Sequence, residues 1–315
     1  MPDVARYRGA LLGVLVGDVL GVPFEGHRGV VPATELALVL ADDATSTLRY
    51  SDDTAMTMAL AESLLRAGGV DEDDLARAFV RHWASGPQRG YSTSTPRLLA
   101  ALHAGTPWSD AAAARPGVPA RASNGAAMRV TSAALYAAGN VEAAAEIARR
   151  SARVTHPHPA AHAGACVHAA AVAEALSHPA GVPLDAHRFV ATAGAVSDDP
   201  ALSAGLQAAV ELSSHPDAHE IAGRIGTSIL ASESVPAAIC AFLSHPGSFT
   251  VAVTLAVSLG GDTDTIAAMT GALAGALLGE PAIPRRWVDR AEAAPQVRLL
   301  ADGLFARGQP TERQR

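Results

Sequence analysis

The 315-residue sequence contains no lysine, and all 24 of its basic residues are arginine. The absence of lysine excludes Schiff-base catalysis and any phosphate-binding loop that depends on a lysine. Acidic residues outnumber basic ones, 31 to 24, and the formal net charge is −7. A chain of this charge has no electrostatic footprint for unspecific nucleic-acid binding, so we expect no stable complex with nucleic acid.

Cysteine and membrane-targeting signals are also scarce. Two cysteines, both in apolar stretches, are too few for a disulfide scaffold or a thiolate metal site. The polar N-terminus lacks the pattern of a cleavable signal peptide. Residues 251–279 are long and apolar enough to span a membrane, but Asp262 and Asp264 lie at their middle, where a charge is costly in lipid. We expect a cytoplasmic protein that does not enter a membrane.

Aromatic residues make up only 4% of the chain, whereas alanine is abundant and apolar residues recur three and four positions apart. Alanine has the highest helix propensity, and this spacing places apolar side chains on one face of a helix. No run shows the alternation that is typical of strands. The sequence predicts an all-α fold in a single compact multi-helix domain over residues 1–315, with its core at about 6–305 and a frayed tail at 309–315.

Capping residues, prolines and glycines delimit the predicted helices, and residues 104–119 are predicted to be a loop. The helices are predicted at residues 6–20, 51–66, 71–84, from 96 onward, and at 123–138, 140–151, 157–176, 185–195, 200–212, 217–230, 235–243, 248–259, 263–278 and 284–305. In the first of them Gly9, Gly13 and Gly17 recur every four residues, a stripe that lets a neighbouring helix approach closely. The alternative for this stretch is a buried strand.

Two acidic stretches carry the clearest chemical signal. G-G-D-T-D-T at 260–265 lies in the most apolar third of the chain, and S-D-D-T at 51–54 repeats its combination of acids and hydroxyls. Each pair, taken alone, is compatible with ordinary capping of a helix N-terminus. Taken together they predict that the stretches meet in space as oxygen ligands for Mg²⁺ or Mn²⁺, with four carboxylates suited to two ions.

The histidines offer a competing metal site. His156, His158 and His162 lie close together, but a zinc protease motif would need Glu at position 159, where the chain has proline. We expect one histidine to face a pocket and the others to be surface or core residues.

Two loops rich in small residues are candidates for substrate binding. S-N-G-A-A-M-R at 123–129 is a loop-to-helix junction whose free N–H groups suit an anion, although an ordinary N-cap explains it as well. The loop around Gly90, Tyr91 and Ser92 is equally ambiguous on its own.

Together, these stretches resemble the ADP-ribosylglycohydrolase family, of the dinitrogenase-reductase-activating and ADP-ribosyl-acceptor hydrolase type. The resemblance runs in order over roughly residues 6–280. It rests on G-D-V-L-G-V-P-F-E at 17–25, S-D-D-T at 51–54, S-N-G-A-A-M-R at 123–129, T-H at 155–156 and G-G-D-T-D-T at 260–265.

The resemblance implies a compact all-α fold, a binuclear Mg²⁺ or Mn²⁺ centre, and hydrolysis of the glycosidic bond between ADP-ribose and an acceptor. The implied metal ligands are Ser51, Asp52, Asp53, Asp262, Asp264 and Thr265. The implied catalytic carboxylates are Glu25, Asp53 and Asp264, with the roles of acid and base left open. The implied substrate-binding residues are Gly90, Tyr91, Ser92, Ser123, Asn124, Gly125, Met128 and His156.

The chain departs from the family pattern at two positions. Ser51 stands where the family usually has threonine, which preserves the hydroxyl ligand. Ser92 stands where many members have a second glycine, so its side chain is expected to crowd the phosphate loop or shift its substrate preference.

Three alternatives stay open. The acceptor can be arginine, serine, a nucleic-acid base or a small molecule. The same two-metal site would also suit another nucleotide or nucleoside glycoside. The last alternative is a non-catalytic family member that binds ADP-ribose, and the intact set of acids argues against it. We expect a monomer or a small homo-oligomer.

Overall fold

The computed structural model describes residues 3–41, 46–115 and 122–308. Within these ranges the chain forms α-helices joined by turns, and its only β-type pairings are isolated bridges. The helices are α1 (Val4–Gly21), α2 (Ala33–Leu40), α3 (Asp52–Ala67), α4 (Glu72–Ala84), α5 (Thr95–His103), α6 (Trp108–Ala113), α7 (Thr131–Tyr136), α8 (Val141–Arg153), α9 (Pro159–Ser177), α10 (Ala186–Gly194), α11 (Pro200–Ser213), α12 (Ala218–Arg224), α13 (Ala231–Ser244), α14 (Phe249–Ser258), α15 (Thr263–Leu278), α16 (Arg285–Arg290) and α17 (Ala294–Gly308). The prediction of an all-α domain is confirmed. The predicted tail at 309–315 lies outside the described residues.

Helices α1 and α15 form the centre of the fold and lie antiparallel with their backbones in contact. A Cβ atom built on Gly13 would lie 2.0 Å from the carbonyl oxygen of Gly271, and one built on Gly275 would lie 2.0 Å from that of Gly9. Gly17 meets Ala267 in the same way. No side chain fits at these positions, so the predicted glycine stripe serves close helix packing and not a strand.

Both helices are buried along most of their length, and the other elements surround them. Helices α9, α13 and α14 pack against α15, while α3 and α17 pack against α1. The resulting core is built largely from alanine, valine and leucine. Small side chains allow this many helices to lie close together.

Among the described residues, the segment Val4–Phe24 has the length and composition of a membrane-spanning helix, but 83% of its apolar window is buried inside the fold. That burial is typical of a core helix. The other apolar run, residues 251–279, is broken by the turn between α14 and α15 into helices of 10 and 16 residues. Each is shorter than the roughly 20 residues that span a bilayer.

Several predicted helix boundaries were wrong. The short helices α2 and α6 were not predicted, since α2 buries only Leu36 and shows little periodicity. The helix predicted at 217–230 ends at Arg224, because Gly226 adopts a φ of 89°. The helix predicted at 284–305 is split into α16 and α17, where the backbone of Arg290 and Glu292 pairs instead with Leu48. Helix α13 begins at Ala231, four residues before its predicted start.

The helix predicted at 123–138 is also interrupted. It begins as a single 3-10 turn, Asn124–Ala126, and becomes an α-helix only at Thr131. The Arg129 side chain donates to the carbonyl oxygen of Gly125 at 3.1 Å, which holds the turn in this shape. Ser123 does not cap the turn through its side chain. It contacts His156 instead.

Replacing Gly13 by alanine tests the close contact between α1 and α15. The new methyl group would collide with the backbone of Gly271, so we expect a loss of about 3 kcal/mol or more in the free energy of unfolding. Gly223→Ala is the matched control, because a Cβ atom there meets nothing within 4 Å. It should stay within about 1 kcal/mol of the parent protein. Equal unfolding midpoints for the two variants would contradict the packing described here.

Candidate active site

A Gly-Gly turn precedes α15 and positions Asp262 at the start of the helix, where its side chain does not cap the backbone. Gly260 and Gly261 adopt φ angles of 74° and 72°, and a Cβ on either would overlap a carbonyl oxygen of Gly29 or Thr227 at 2.0–2.1 Å. Asp262 is the N-cap residue of α15 but makes no side-chain capping bond. Its carboxylate instead accepts a hydrogen bond from the Asn124 amide.

Helix α3 begins close to the first turn of α15, and the carboxylate of Asp18, in α1, caps it. The fully buried side chain of Asp18 accepts hydrogen bonds from the backbone N–H of Ser51 at 3.0 Å and of Thr54 at 3.1 Å. The Thr54 hydroxyl also donates to Asp18, and the Ser51 hydroxyl accepts from the backbone N–H of Asp53. Because Asp18 and Ser51 fill the capping role, Asp52 and Asp53 are free for another.

Three carboxylates meet at the N-terminus of α15. Ligand oxygens of Glu25, Asp262 and Asp264 all lie within 4.8 Å of one another. Glu25 follows the turn Val22–Phe24 at the end of α1, and its side chain is exposed, whereas both aspartates are buried. The antiparallel contact between α1 and α15 therefore brings one accessible and two inaccessible acids to one point.

Asp53 joins this group from α3. One of its carboxylate oxygens accepts from the hydroxyls of Ser51 at 3.2 Å and of Thr265 at 3.3 Å. The other oxygen, Oδ1, is buried without a hydrogen-bond partner among the described residues. A buried carboxylate oxygen that no donor satisfies is costly, and a cation or a proton would relieve that cost.

Burial and mutual repulsion raise the pKa values of the whole cluster. Burial is the largest cause for each group, and the neighbours that act on Asp53 and Asp264 are all carboxylates. The pKa of Asp52 is raised to about 8 and that of Asp262 to about 6. The pKa values of Asp53 and Asp264 are raised well above the usual range. Without a cation, the folded protein therefore holds protons at this cluster.

A cavity opens over the cluster, and most of the predicted site residues line it. These are Glu25, Asp52, Asp53, Gly90, Ser92, Ser123, Asn124, Gly125, Met128, His156, Asp262, Asp264 and Thr265. Ser51 lies behind the wall, where it contacts Asp53. Tyr91 does not line this cavity. It lines an adjacent one that shares Gly90.

The two loops predicted to bind substrate also line the cavity. The Ser92 hydroxyl is hydrogen-bonded to that of Thr95 at 2.9 Å, so its side chain is part of an ordered turn. Gly125 faces the His156 ring, where an added Cβ would lie 3.0 Å from Cε1. The absence of a side chain at Gly125 thus keeps the edge of the imidazole accessible.

His156 is the histidine that faces the cavity, as expected for one member of the group. Arg129 Nη2 donates to the Thr155 hydroxyl at 2.9 Å, and that hydroxyl lies 2.7 Å from His156 Nδ1. Nε2 lies 3.0 Å from the Ser123 hydroxyl. Burial and the nearby Arg115 and Arg129 lower the pKa of His156 well below its usual value. His156 is therefore a neutral hydrogen-bonding group.

Sequence reasoning missed Asp18, Arg115 and Thr155. Asp18 lies in an apolar helix at a position that the capping rules do not consider, because it caps a helix 33 residues away. Arg115 follows a helix that was not predicted. Only the spatial arrangement shows that Arg115 and Thr155 line the cavity.

The family model for ADP-ribosylglycohydrolase matches residues 2–314 of the chain. The chain belongs to the ADP-ribosylglycohydrolase family. It is 33% identical to ADP-ribosylhydrolase ARH3 of Mus musculus, over 96% of this chain and 91% of that protein. It is 27% identical to ADP-ribosyl-[dinitrogen reductase] glycohydrolase of Rhodospirillum rubrum, over 96% of each chain. A solved structure described as an ADP-ribosylglycohydrolase-related protein complex superimposes with a TM-score of 0.72 at 29% identity, covering 97% of this chain and 99% of that one.

The donor set of this family member fits a hard divalent cation. Carboxylate and hydroxyl oxygens are the ligands that Mg²⁺ and Mn²⁺ prefer. The oxygens that could hold such ions belong to Ser51, Asp52, Asp53, Asp262, Asp264 and Thr265, with Glu25 beside them. The unpartnered Oδ1 of Asp53 is the observation that favours a cation over an ordinary cap.

The raised pKa values predict how a cation should affect stability. A carboxyl whose pKa rises on folding loses stability as pH increases from its unfolded value, near 4, to its folded value. In a chelator, the unfolding temperature should therefore decrease as the pH rises from about 4 to about 8, the window that the pKa values of Asp262 and Asp52 define.

Mg²⁺ or Mn²⁺ binds the ionised form and should reverse this loss. The cation-induced rise in the unfolding midpoint should be small at about pH 5 and large at about pH 8. Differential scanning fluorimetry with and without cation measures both curves, and Asp53→Asn should reduce the difference between them. A cation-induced shift that does not vary with pH would contradict this description of the cluster.

Proposed function

We propose that this protein hydrolyses the glycosidic bond that joins ADP-ribose to an acceptor, with two Mg²⁺ or Mn²⁺ ions bound at the carboxylate cluster. The observation that carries the proposal is that Glu25, Asp262 and Asp264 line one cavity together with Asp53, whose Oδ1 has no hydrogen-bond partner among the described residues. The membership of the chain in the ADP-ribosylglycohydrolase family supports the substrate class.

The polar groups around the cavity suit a ribose and a diphosphate. The carboxylates can accept hydrogen bonds from ribose hydroxyls, while the loops at Gly90–Thr95 and Ser123–Gly125 bring hydroxyl side chains to the cavity. The Asn124 side-chain amide links the carboxylate cluster to helix α13, since it donates to both Asp262 and the Ser234 hydroxyl. Asn124 therefore positions Asp262 and does not have to contact the substrate to matter.

Glu25 is the best placed acid–base group. A general acid or base must reach the substrate and exchange its proton with solvent. Glu25 is exposed at the cavity edge, whereas Asp53 and Asp264 are buried below it. Bound cations would polarise the ribose hydroxyls and a water, which stabilises the charge that develops as the bond breaks. Asp53 and Asp264 contribute to catalysis by holding these cations, and Glu25 by moving a proton.

The two classes of carboxylate predict different variant behaviour. Glu25→Gln should lower turnover by a factor of about 100 to 10,000 and leave cation binding nearly unchanged. Asp264→Asn should lower both turnover and cation affinity, because it removes a charge from the buried set. Release of free ADP-ribose from ADP-ribosylated serine and arginine peptides measures turnover, and titration calorimetry with Mn²⁺ measures binding.

The same assay separates the other candidate functions. Release of a free base from nucleosides or nucleotides, with no release of ADP-ribose, would show a different glycoside as substrate. Tight ADP-ribose binding without turnover on any conjugate would show a binding protein. Wild-type turnover by Glu25→Gln would contradict the role given to Glu25.

A further inference from the structure

Besides the carboxylates, the cavity is associated with two buried arginines. Arg115 lines the cavity and is only 5% exposed, and Arg129 is fully buried beside it. Both contact Thr155, Arg115 through the carbonyl oxygen at 3.1 Å and Arg129 through the hydroxyl at 2.9 Å. Two guanidinium groups are therefore held together on the wall that also carries His156.

Neither arginine has a carboxylate partner among the described residues. Arg115 donates to the hydroxyls of Ser94 and Thr95 and to the carbonyl oxygen of Thr155, which are all neutral acceptors. Arg129 donates to hydroxyls and carbonyl oxygens of Gly125, Ser151 and Thr155. Several better exposed arginines are paired with carboxylates, as in Arg66–Asp74 and Arg150–Glu72. Arg115 and Arg129 are buried without such a direct ion pair, although the Asp52 carboxylate is near enough to raise the pKa of both.

Both groups keep their charge at neutral pH in spite of this burial. Burial lowers the pKa of Arg115 to about 10 and that of Arg129 to about 9, Arg115 adds to the lowering at Arg129, and the Asp52 carboxylate acts against the lowering at both. A buried charge that is not directly paired is costly to a fold. Such a cost at the wall of a cavity is offset when an anion binds there.

Arg115 also has unused hydrogen-bond donors. A guanidinium group carries five N–H donors, one on Nε and two on each terminal nitrogen. The Nε donor is used by Ser94, and each terminal nitrogen uses one of its two donors, for Thr155 and Thr95. One N–H on each terminal nitrogen therefore has no acceptor among residues 3–41, 46–115 and 122–308, and paired donors of this kind match two oxygens of a phosphate group.

We propose that Arg115 is an anion-binding residue of this cavity and that it binds the diphosphate of the substrate. The identity of the anion as a diphosphate rests on the proposed function. The cavity then binds charges of both signs, since the carboxylates hold cations and Arg115 binds phosphate oxygens. Arg129 is a positioning residue, because it contacts the substrate only through Thr155, His156 and Gly125.

The experiment measures binding of inorganic pyrophosphate and of ADP-ribose by titration calorimetry, to the full chain in a chelator. Arg115→Gln should weaken the binding of both ligands at least about tenfold, the loss of a charge-assisted pair. Arg115→Lys keeps the positive charge but loses the paired N–H donors of the guanidinium group, so its affinity should lie between those of the parent protein and of Arg115→Gln. Arg285→Gln is the matched control, since Arg285 is 92% exposed and carries the same charge. It should leave both affinities unchanged.

A parallel measurement does not depend on the stability of a variant. In the parent protein, pyrophosphate should shift the Nε–H NMR resonance of Arg115, assigned through Arg115→Lys, and leave that of Arg285 in place. Absence of this shift, or parent-like pyrophosphate affinity in a folded Arg115→Gln variant, would overturn the proposal. If the parent protein releases no ADP-ribose from any conjugate but binds pyrophosphate through Arg115, the proposed function fails while the anion site stands.

Discussion

The backbone contact between α1 and α15 is the constraint on which the rest of the structure depends. Glycine at successive turns of each helix lets the two chains approach until one carbonyl oxygen occupies the space of the other's missing side chain. The same contact continues to Gly21, where an added Cβ would lie 2.4 Å from the Cα atom of Asp264. The spacing that packs the core therefore also sets the distance between Glu25 and the acids of α15.

Buried charge of both signs is the second organising feature. The acids at the N-termini of α3 and α15 repel one another, and Arg115 and Arg129 have no carboxylate hydrogen-bond partner within the described ranges. Asp52 raises the pKa of both arginines without pairing with them directly. Buried charge that is not directly paired carries a cost that core packing does not require. Cations at the acids and an anion at Arg115, as proposed above, would reduce that cost.

Much of the fold and of the site was predictable from local patterns. Alanine content and apolar spacing indicate the helices, and α15 begins and ends at the predicted residues. The acids, hydroxyls and small-residue loops stand out because their chemistry is unusual in an apolar chain. The shared chemistry of the two acidic stretches predicted that they meet, and the family resemblance added the other site residues. Local periodicity contributed nothing here, since Asp53 and Thr265 are 212 residues apart.

What escaped prediction depends on contacts between distant elements. Asp18 caps a helix to which it does not belong, and a lone acid in an apolar helix gives no sign of its partner. The break after Arg290 follows from pairing with Leu48, which no local turn signal announces. Tyr91 was assigned to the cleft through the family resemblance, and it lines an adjacent cavity that shares Gly90 with the first. Loops reverse direction within one or two residues, so neighbours in sequence need not share a site.

The number of Mn²⁺ ions bound per chain tests the central claim most directly. Native mass spectrometry of the parent protein and of Asp53→Asn, each loaded with Mn²⁺ near neutral pH, would count them. We predict about two ions in the parent protein, as a set of four or more carboxylates suits a binuclear site, and fewer in the variant. A parent protein that binds none, or an ion count that Asp53→Asn leaves unchanged, would contradict the account.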